Sequence, residues 1–371
     1  MAEVLVVDAD SHVEECEEVW QFLDPKYAAR RPMPLVGENR PVFAGMNAFW
    51  YIDGQVFPRP LGRGVTIYAT PLQQERARRK PWSLGSQALT DPAERLRDLD
   101  AAGIDVQVLF PTLFLDTLTE DVEFEAALMA SYNQFMARAC AAAPERLKWA
   151  ALLPLRRVDL AVAELRRAHA LGAVCAATTA GTLGDLGLDQ AGLDPLWAEL
   201  ERLGMPFCIH CGWCNDGVRR PFSTSYGAHV LGFTLPVLMA FYAFLGGGIL
   251  DRYPRLKLGF LEAGCEWVPY LVQRMDHYYF AERRSGRPVP ERRASEYLRD
   301  CALYFTTEAE ERHLPQVLEF VGGDRIMLSA DMPHGEAREA AVAEIRARTD
   351  LTEAQKRSIL GAAAMQFYGL G

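Results

Sequence analysis

The sequence predicts a single α/β domain folded as a (β/α)8 barrel of the TIM type, with a long insertion after its first strand. Three observations carry that reading. Eight short runs rich in Val, Leu and Ile each give way to a stretch with helical periodicity. The runs are apolar throughout rather than alternating, as parallel strands buried on both faces are. No glycine-rich phosphate fingerprint follows the first run, which weighs against an open doubly wound sheet, and eight repeats is the number a closed barrel needs. A length of 371 residues admits two domains, but the barrel makes a second unnecessary, so residues 1–371 are read as one.

Taken in order, the first strand falls at Val4–Val7 and closes on Asp8-Ala9-Asp10-Ser11-His12. A helix from Asp91 to Gly103 has an N-cap aspartate, Pro92 in its first turn and a terminating glycine. It leads into the second strand at Asp105–Phe110. A helix near Glu123–Ala142 precedes the strand Leu147–Leu153, and a helix at Leu160–Leu171 precedes Ala173–Thr178. The helices Pro195–Leu203 and Leu235–Leu245 precede the strands Pro206–Cys211 and Lys257–Glu262. The helix Trp267–Tyr279 leads to the strand Ala302–Thr306, and Leu314–Phe320 leads to the last strand, Arg325–Ala330. Helical patterns at Arg338–Ala347 and Ala354–Phe367 follow it.

Residues 26–88 stand outside the repeat. They hold proline, glycine and aromatics, with a hairpin expected at Phe49–Phe57 turning on Asp53-Gly54. An insertion in that loop projects over the C-terminal mouth, where active sites of such barrels lie. Between Lys26 and Trp82 there are ten Lys/Arg against three Asp/Glu, in a chain of net charge −10. The segment is therefore read as a lid that favours an anionic or aromatic substrate through residues such as Arg59 and Arg63. The plainer readings are a solvated loop or a subunit contact, and a homo-oligomer, a dimer first of all, is expected.

Composition narrows the function classes. With 50% hydrophobic and 24% charged residues the chain can bury a large core. The acidic balance argues against a general nucleic-acid binder. No uninterrupted apolar run reaches 18 residues, so no membrane span is expected. The opening MAEVLVVDADSHVEE is too acidic for a secretion signal. Eight cysteines in such a chain suggest reduced, buried thiols rather than a disulfide framework. A cytoplasmic enzyme acting on a small molecule is the expectation.

Four strand ends carry residue types that bind metals: Asp10-x-His12, His210, Glu262 and Asp331. Side chains alternate along a strand, so Asp10 and His12 can share a face; by the same alternation Leu258, Phe260 and Glu262 are expected to share theirs. Imidazole with carboxylate suits one divalent ion, zinc first, with manganese or iron as alternatives. A lone strand-end histidine is more often structural than a ligand. Four such ends on one rim are a different matter.

The strings DADSHVEE at 8–15, Tyr132-Asn133, FCIHCG at 207–212, GILDRYPRLKLGFLEAGCEWVPYLVQRMD at 248–276, SADMPH at 329–334 and the closing ILGAAAMQFYGL give the chain a resemblance. It resembles the amidohydrolase-related branch of the amidohydrolase superfamily, which contains α-amino-β-carboxymuconate-ε-semialdehyde decarboxylase and γ-resorcylate decarboxylase. The resemblance implies a metal held by Asp10, His12, His210 and Asp331. This chain departs from the superfamily pattern in having Asp10 where the first ligand is usually histidine, although several decarboxylases resemble it in having a carboxylate there. It also has Glu262 where the characterised decarboxylases have histidine.

That second departure makes a metal-dependent hydrolase the leading expectation. A metal-activated water would attack an amide, ester or lactone carbonyl, Asp331 would take its proton, and Glu262 or His229 would protonate the departing group. The alternatives are a non-oxidative decarboxylase of an aromatic or unsaturated acid, hydration of a double bond, and a barrel that only binds. His334 is expected at the mouth against substrate. Glu15 is expected either to bond a ligand imidazole or to cap the following turn. Cys208, Cys211 and Cys214 surround His210 but lack a fourth zinc ligand, so Cys208 is read as packing beneath the ion. Tyr132-Asn133 is read as packing and loop tethering, and His169, His277 and His313 as solvent-facing.

Overall fold

A computed structural model describes residues 5–36, 48–58, 60–61, 65–67, 82–179, 182–183, 186–212, 216–219, 221–334 and 340–371. Eight strands pair in parallel and in sequence order: β1 (Val7–Val13), β2 (Val106–Pro111), β3 (Leu147–Leu152), β4 (Cys175–Thr178), β5 (Phe207–His210), β6 (Lys257–Leu261), β7 (Ala302–Thr307) and β8 (Ile326–Leu328). Helices α1 (Pro92–Ala102), α2 (Val122–Cys140), α3 (Val158–Ala170) and α4 (Asp194–Leu203) join the first five strands in turn after the insertion. Helices α5 (Ser225–Gly232) and α6 (Thr234–Gly246) follow β5, α7 (Trp267–Arg284) follows β6, and α8 (Leu314–Val321) follows β7. The chain ends in α9 (Ala363–Tyr368). This is the α/β TIM-type barrel that the repeat predicts.

Local chemistry accounts for several boundaries. The Asp91 carboxylate accepts from Ala93 N and Glu94 N at the start of α1, and Gly103 ends it in the left-handed region at φ 72°. Asn133 Nδ2 donates to Leu152 O while Asn133 Oδ1 accepts from Leu152 N, which ties α2 to β3 as expected of the Tyr132-Asn133 pair. The first strand differs from expectation. It begins at Val7 and continues through Asp8–His12, because those polar side chains find partners while buried. The Asp8 carboxylate, for example, accepts from Ser11 Oγ at 2.5 Å and Gln107 Nε2 at 2.7 Å.

The core has two shells. Between strands and helices lies an outer layer that includes Phe260 and Leu328. Inside the barrel, small residues such as Ala9, Ala150 and Ala177 leave room for Phe367 and Tyr368 of α9. Gly259 is required there, since a Cβ would sit 2.8 Å from Phe367 Cζ. The Tyr368 hydroxyl donates to Ala9 O at 2.8 Å. Cys208 packs in this interior shell, in keeping with its expected place beneath the site, and the seven described cysteines are buried and free. Cys214 lies outside the described residues.

The run Tyr226–Gly246 is, among the described residues, one helical stretch long and apolar enough to cross a membrane, with half of it buried. Pattern alone missed it because polar residues are scattered through it. Its buried side chains, Val237, Phe241 and Phe244 among them, belong to the outer core layer.

In the insertion, Ala48–Ile52 and Gln55–Phe57 form the expected hairpin about Asp53 and Gly54, both in the left-handed region at φ 49° and 83°. Met33–Val36 adds a third antiparallel strand. Arg30 joins this sheet to the segment after β2, contacting Asp53 at 2.7 Å and Asp121 at 2.6 Å. Arg59 and Arg63 lie outside the described residues.

Candidate metal centre and pocket

Two imidazoles set the centre of the site. His12 Nδ1 lies 2.7 Å from Pro111 O, and His210 Nδ1 lies 2.8 Å from Cys211 O. A carbonyl only accepts, so each Nδ1 is the donor and each ring turns its Nε2 inward, where it can meet an ion. The two Nε2 atoms are 3.1 Å apart. Two nitrogens bound at about 2.0–2.1 Å to one ion in tetrahedral or octahedral geometry are separated by about this distance. Against the cost of burial, the Asp10 and Glu262 carboxylates hold His210 well above the usual imidazole range, so the site favours positive charge at this point.

Three carboxylates complete the ring. Asp10 Oδ1 is 3.3 Å and Glu262 Oε2 2.9 Å from His210 Nε2, while Asp331 Oδ1 is 3.5 Å from His12 Nε2. Asp10, His12 and His210 are at most 1% exposed. Neither Asp10 oxygen nor Glu262 Oε2 accepts a hydrogen bond among the described groups. Buried carboxylate oxygens left without donors are costly, and a cation is the partner that satisfies several of them together. Donor atoms of Asp10, His12 and His210 lie within 4.8 Å of one another, and so do those of His12, Glu262, Asp331 and His334. Burial, with His334 and His210 nearby, holds His12 well below the usual imidazole range. It is kept neutral, as a nitrogen ligand must be. Burial pushes the Asp10 carboxyl above its ordinary range, against the pull of His210.

The backbone does unusual work at two positions. Phe260 faces the outer core and Leu261 the barrel interior, so the expected shared face of Leu258, Phe260 and Glu262 is wrong. Strict alternation would send Glu262 outward. Instead Glu262 adopts φ 49°, which turns its carboxylate into the mouth. Asp331, three residues past Leu328, does likewise at φ 53°. Left-handed conformations cost a non-glycine residue about 1–3 kcal/mol, and they gather at functional sites. Asp8 and Asp10 also part company despite their spacing. The register of β1 on β2 shifts between Asp8 and Ser11, with Asp8 bonded to Gln107 while Asp10 joins the histidines.

The five residues singled out at strand ends therefore come together. His229 reaches the site differently, from α5, and with Val230 and Phe233 lines a pocket of about 410 Å3 whose wall includes Glu262 and Asp331. His334 is committed elsewhere than expected. Its Nδ1 contacts Asp331 Oδ1 at 2.8 Å, its Nε2 contacts Thr112 Oγ1 at 2.9 Å, and its ring stacks on His12. Both ring nitrogens of His334 are thus engaged within the chain, by Asp331 and Thr112. Burial works against its protonated form, but the Asp331 carboxylate prevails and holds its pKa up to about 9. Glu15 does not bond an imidazole. Its carboxylate accepts from Thr112 N at 3.1 Å and Leu113 N at 2.7 Å, fixing the turn beside the carbonyl that orients His12. His169, His277 and His313 are exposed, as expected.

Sequence reasoning missed Thr306, Thr307 and Ser329 in the pocket wall. The signal was available: the seventh strand also ends in polar residues, Thr306-Thr307-Glu308. Thr306 Oγ1 accepts from Glu262 N at 3.0 Å and so helps to hold the left-handed turn.

Residues 66–370 match the model of the family described as Amidohydrolase. The γ-resorcylate decarboxylase of Rhizobium sp. (strain MTP-10005) is 29% identical over 257 residues, covering 64% of this chain and 76% of that protein. The γ-resorcylate decarboxylase of Polaromonas sp. (strain JS666 / ATCC BAA-500) is 27% identical over 299 residues, covering 76% and 88%. A crystal structure of a dihydroxybenzoic acid decarboxylase from Polaromonas sp. JS666, with bound manganese and the inhibitor 2-nitroresorcinol, is 25% identical, with a TM-score of 0.60 over 74% of this chain and 85% of that one. These relatives overturn the hydrolase expectation. The replacement of histidine by Glu262 weighs less than these likenesses, because a strand-end carboxylate can hold a proton or a cation as a histidine can.

Proposed function

This chain belongs to the amidohydrolase family, and from that premise we propose that it is a metal-dependent, non-oxidative decarboxylase of a small aromatic carboxylic acid. The observation that carries the reading is the convergence of the two Nε2 atoms at 3.1 Å, ringed by carboxylates of which Glu262 and Asp331 also line a pocket with Phe233 and Val230 in its wall. That pocket's volume, about 410 Å3, is in the lower part of the range for small-molecule sites. The lid role of residues 26–88 belongs to the same proposal, supported by the Arg30 contact to Asp121 beside the mouth.

Asp10, His12, His210 and Asp331 would hold the ion, with manganese as the first to test and zinc the second. When bound, a divalent ion supplies a Lewis acid that anchors a carboxylate and an adjacent oxygen. The chain's own groups do the rest. Phe233 and Val230 flank the aromatic ring, with His229 beside them. Glu262, which the four ligands leave uncommitted, would carry a proton to the ring carbon bearing the carboxylate; burial favours its protonated form, and the His210 charge that otherwise holds its carboxyl below the ordinary range would be given up on binding the ion. It delivers that proton as the carbon–carboxylate bond breaks; the bonding pair stays with the carbon and CO2 departs. Solvent then returns a proton to Glu262, so one proton is consumed for each CO2 released.

The test is a panel of hydroxybenzoates and related acids with manganese-loaded enzyme in D2O. Stoichiometric CO2, with deuterium at the vacated carbon, is the expected result. A product carrying oxygen from H2(18)O, with no CO2, would overturn the proposal. Glu262→Gln should keep its manganese and lose turnover. Loss of the metal instead would make Glu262 a ligand.

A further inference from the structure

The barrel closes where β1 meets the segment after β8, and the described strands form no regular ladder there. His12 N donates to Met332 O at 2.5 Å and Asp331 N to Asp10 O at 3.1 Å. The remaining links across the seam run through side chains. Asp8 Oδ1 accepts from Ala330 N at 3.0 Å, Ser11 Oγ accepts from Met332 N at 2.9 Å, and Ser329 Oγ donates to Asp10 O at 3.1 Å. Behind them lies Arg95 of α1, which is fully buried. One of its terminal nitrogens donates both to His12 O at 2.9 Å and to Met332 O at 3.2 Å. Its Nε donates to Gln107 Oε1 at 2.8 Å, and Gln107 Nε2 donates in turn to Asp8.

The seam also divides the donor set. Asp10 and His12 stand on one side, Asp331 on the other. We propose that Arg95 is a positioning residue of the metal centre: by grasping the His12 and Met332 carbonyls together, its guanidinium sets the distance between the two halves of the donor set. The inference rests on the ligand assignment proposed above. A role in stability alone does not account for the residue type, because buried charges are expensive and apolar replacements of similar volume are often as stable. What the planar fork provides is several donors in fixed relative orientation. Here they reach four oxygens at once, on Gln107, His12, Met332 and Ser86. The ammonium of lysine lacks that fork.

The experiment measures manganese dissociation constants by calorimetry, at a temperature where circular dichroism shows each protein folded. Arg95→Lys and Ser11→Ala loosen the same seam from two sides, and each should weaken manganese binding by about tenfold or more, the usual scale for groups that orient ligands. Arg325→Lys is the comparison. Arg325 also donates to backbone carbonyls, those of Leu298, Arg299 and Cys301, away from the donor set. It should lower the Tm and leave the dissociation constant unchanged. Should Arg95→Lys not fold, Ser11→Ala decides. Wild-type affinity in the folded seam variants, with manganese lost in His210→Ala, would overturn the inference alone. Wild-type affinity in His210→Ala would overturn the ligand assignment beneath it.

Discussion

At one end of the barrel, Phe367 and Tyr368 enter between strands whose inward residues include alanine, cysteine and glycine. At the other end the same strands finish in Asp10, His12, His210, Glu262 and Asp331, with two backbones in the left-handed region. The floor satisfies every local rule: small residues meet large ones, and the Tyr368 hydroxyl is bonded. The mouth breaks several. It buries like charges together, leaves carboxylate oxygens without donors, and holds Glu262 and Asp331 at unfavourable torsions. Stability therefore resides in one end of the strands and chemistry in the other, and each end can be altered with little effect on the other's property.

The sharpest test of that division is Asp331→Asn. Asparagine tolerates the left-handed region, so the turn survives while a ligand charge is lost. Activity should fall by at least about a hundredfold. The metal-free protein loses a crowded carboxylate but also the anionic partner of His334, so it should melt within a few degrees of wild type by calorimetry. A drop in its Tm of more than a few degrees would blur the comparison, because the mouth would then be contributing to stability. The converse change is Phe367→Ala, which opens the floor. Urea unfolding should show a loss of about 3–5 kcal/mol. At a temperature where the variant stays folded, turnover should remain within about a factor of two, and a larger loss would mean that packing below tunes the site above.

A smaller effect lies between the two ends. Burial pushes the Glu15 carboxyl up to about 8 against the backbone amides that pull it down. A carboxyl whose folded pKa lies above its unfolded value keeps its proton longer when folded. Its contribution is largest at low pH and fades as pH rises from the ordinary carboxyl range through about 8. Glu15→Gln should flatten that slope in a series of metal-free unfolding curves between pH 5 and 9. Parallel slopes in the two proteins would show that Glu15 ionises at its ordinary pH.

The floor and the helices were the more legible parts of the sequence, because they obey periodicity and capping. Asp91, Pro92 and Gly103 mark α1 to within a residue. The mouth was legible in its residue types but not in its geometry. Asp10, His12, His210, Glu262 and Asp331 stand out as polar residues at strand ends, yet alternation alone puts Glu262 on the wrong face; a left-handed torsion is not written in a pattern of period two. The sequence ends the first strand at Val7 because a buried polar run looks like a loop until its partners, Gln107 among them, are seen. Arg95 was unreadable for a related reason. In DPAERLRDLD it sits among charges as any solvent-facing helical arginine would, and its burial depends on a seam between residues far apart in the chain.

That seam has a consequence for how the protein is made. Ser11 and Met332, 321 positions apart, bond directly across it. On the ribosome the Asp10–His12 half of the centre emerges long before Asp331, and the α9 plug follows Asp331. Until then the nascent strands expose both an open edge and an incomplete cluster of acids, the condition in which half-made chains associate wrongly or capture stray ions. On the proposed ligand set, metal loading would wait until Asp331 has emerged, and a product truncated before β8 would lack Asp331, the closing seam and the plug together.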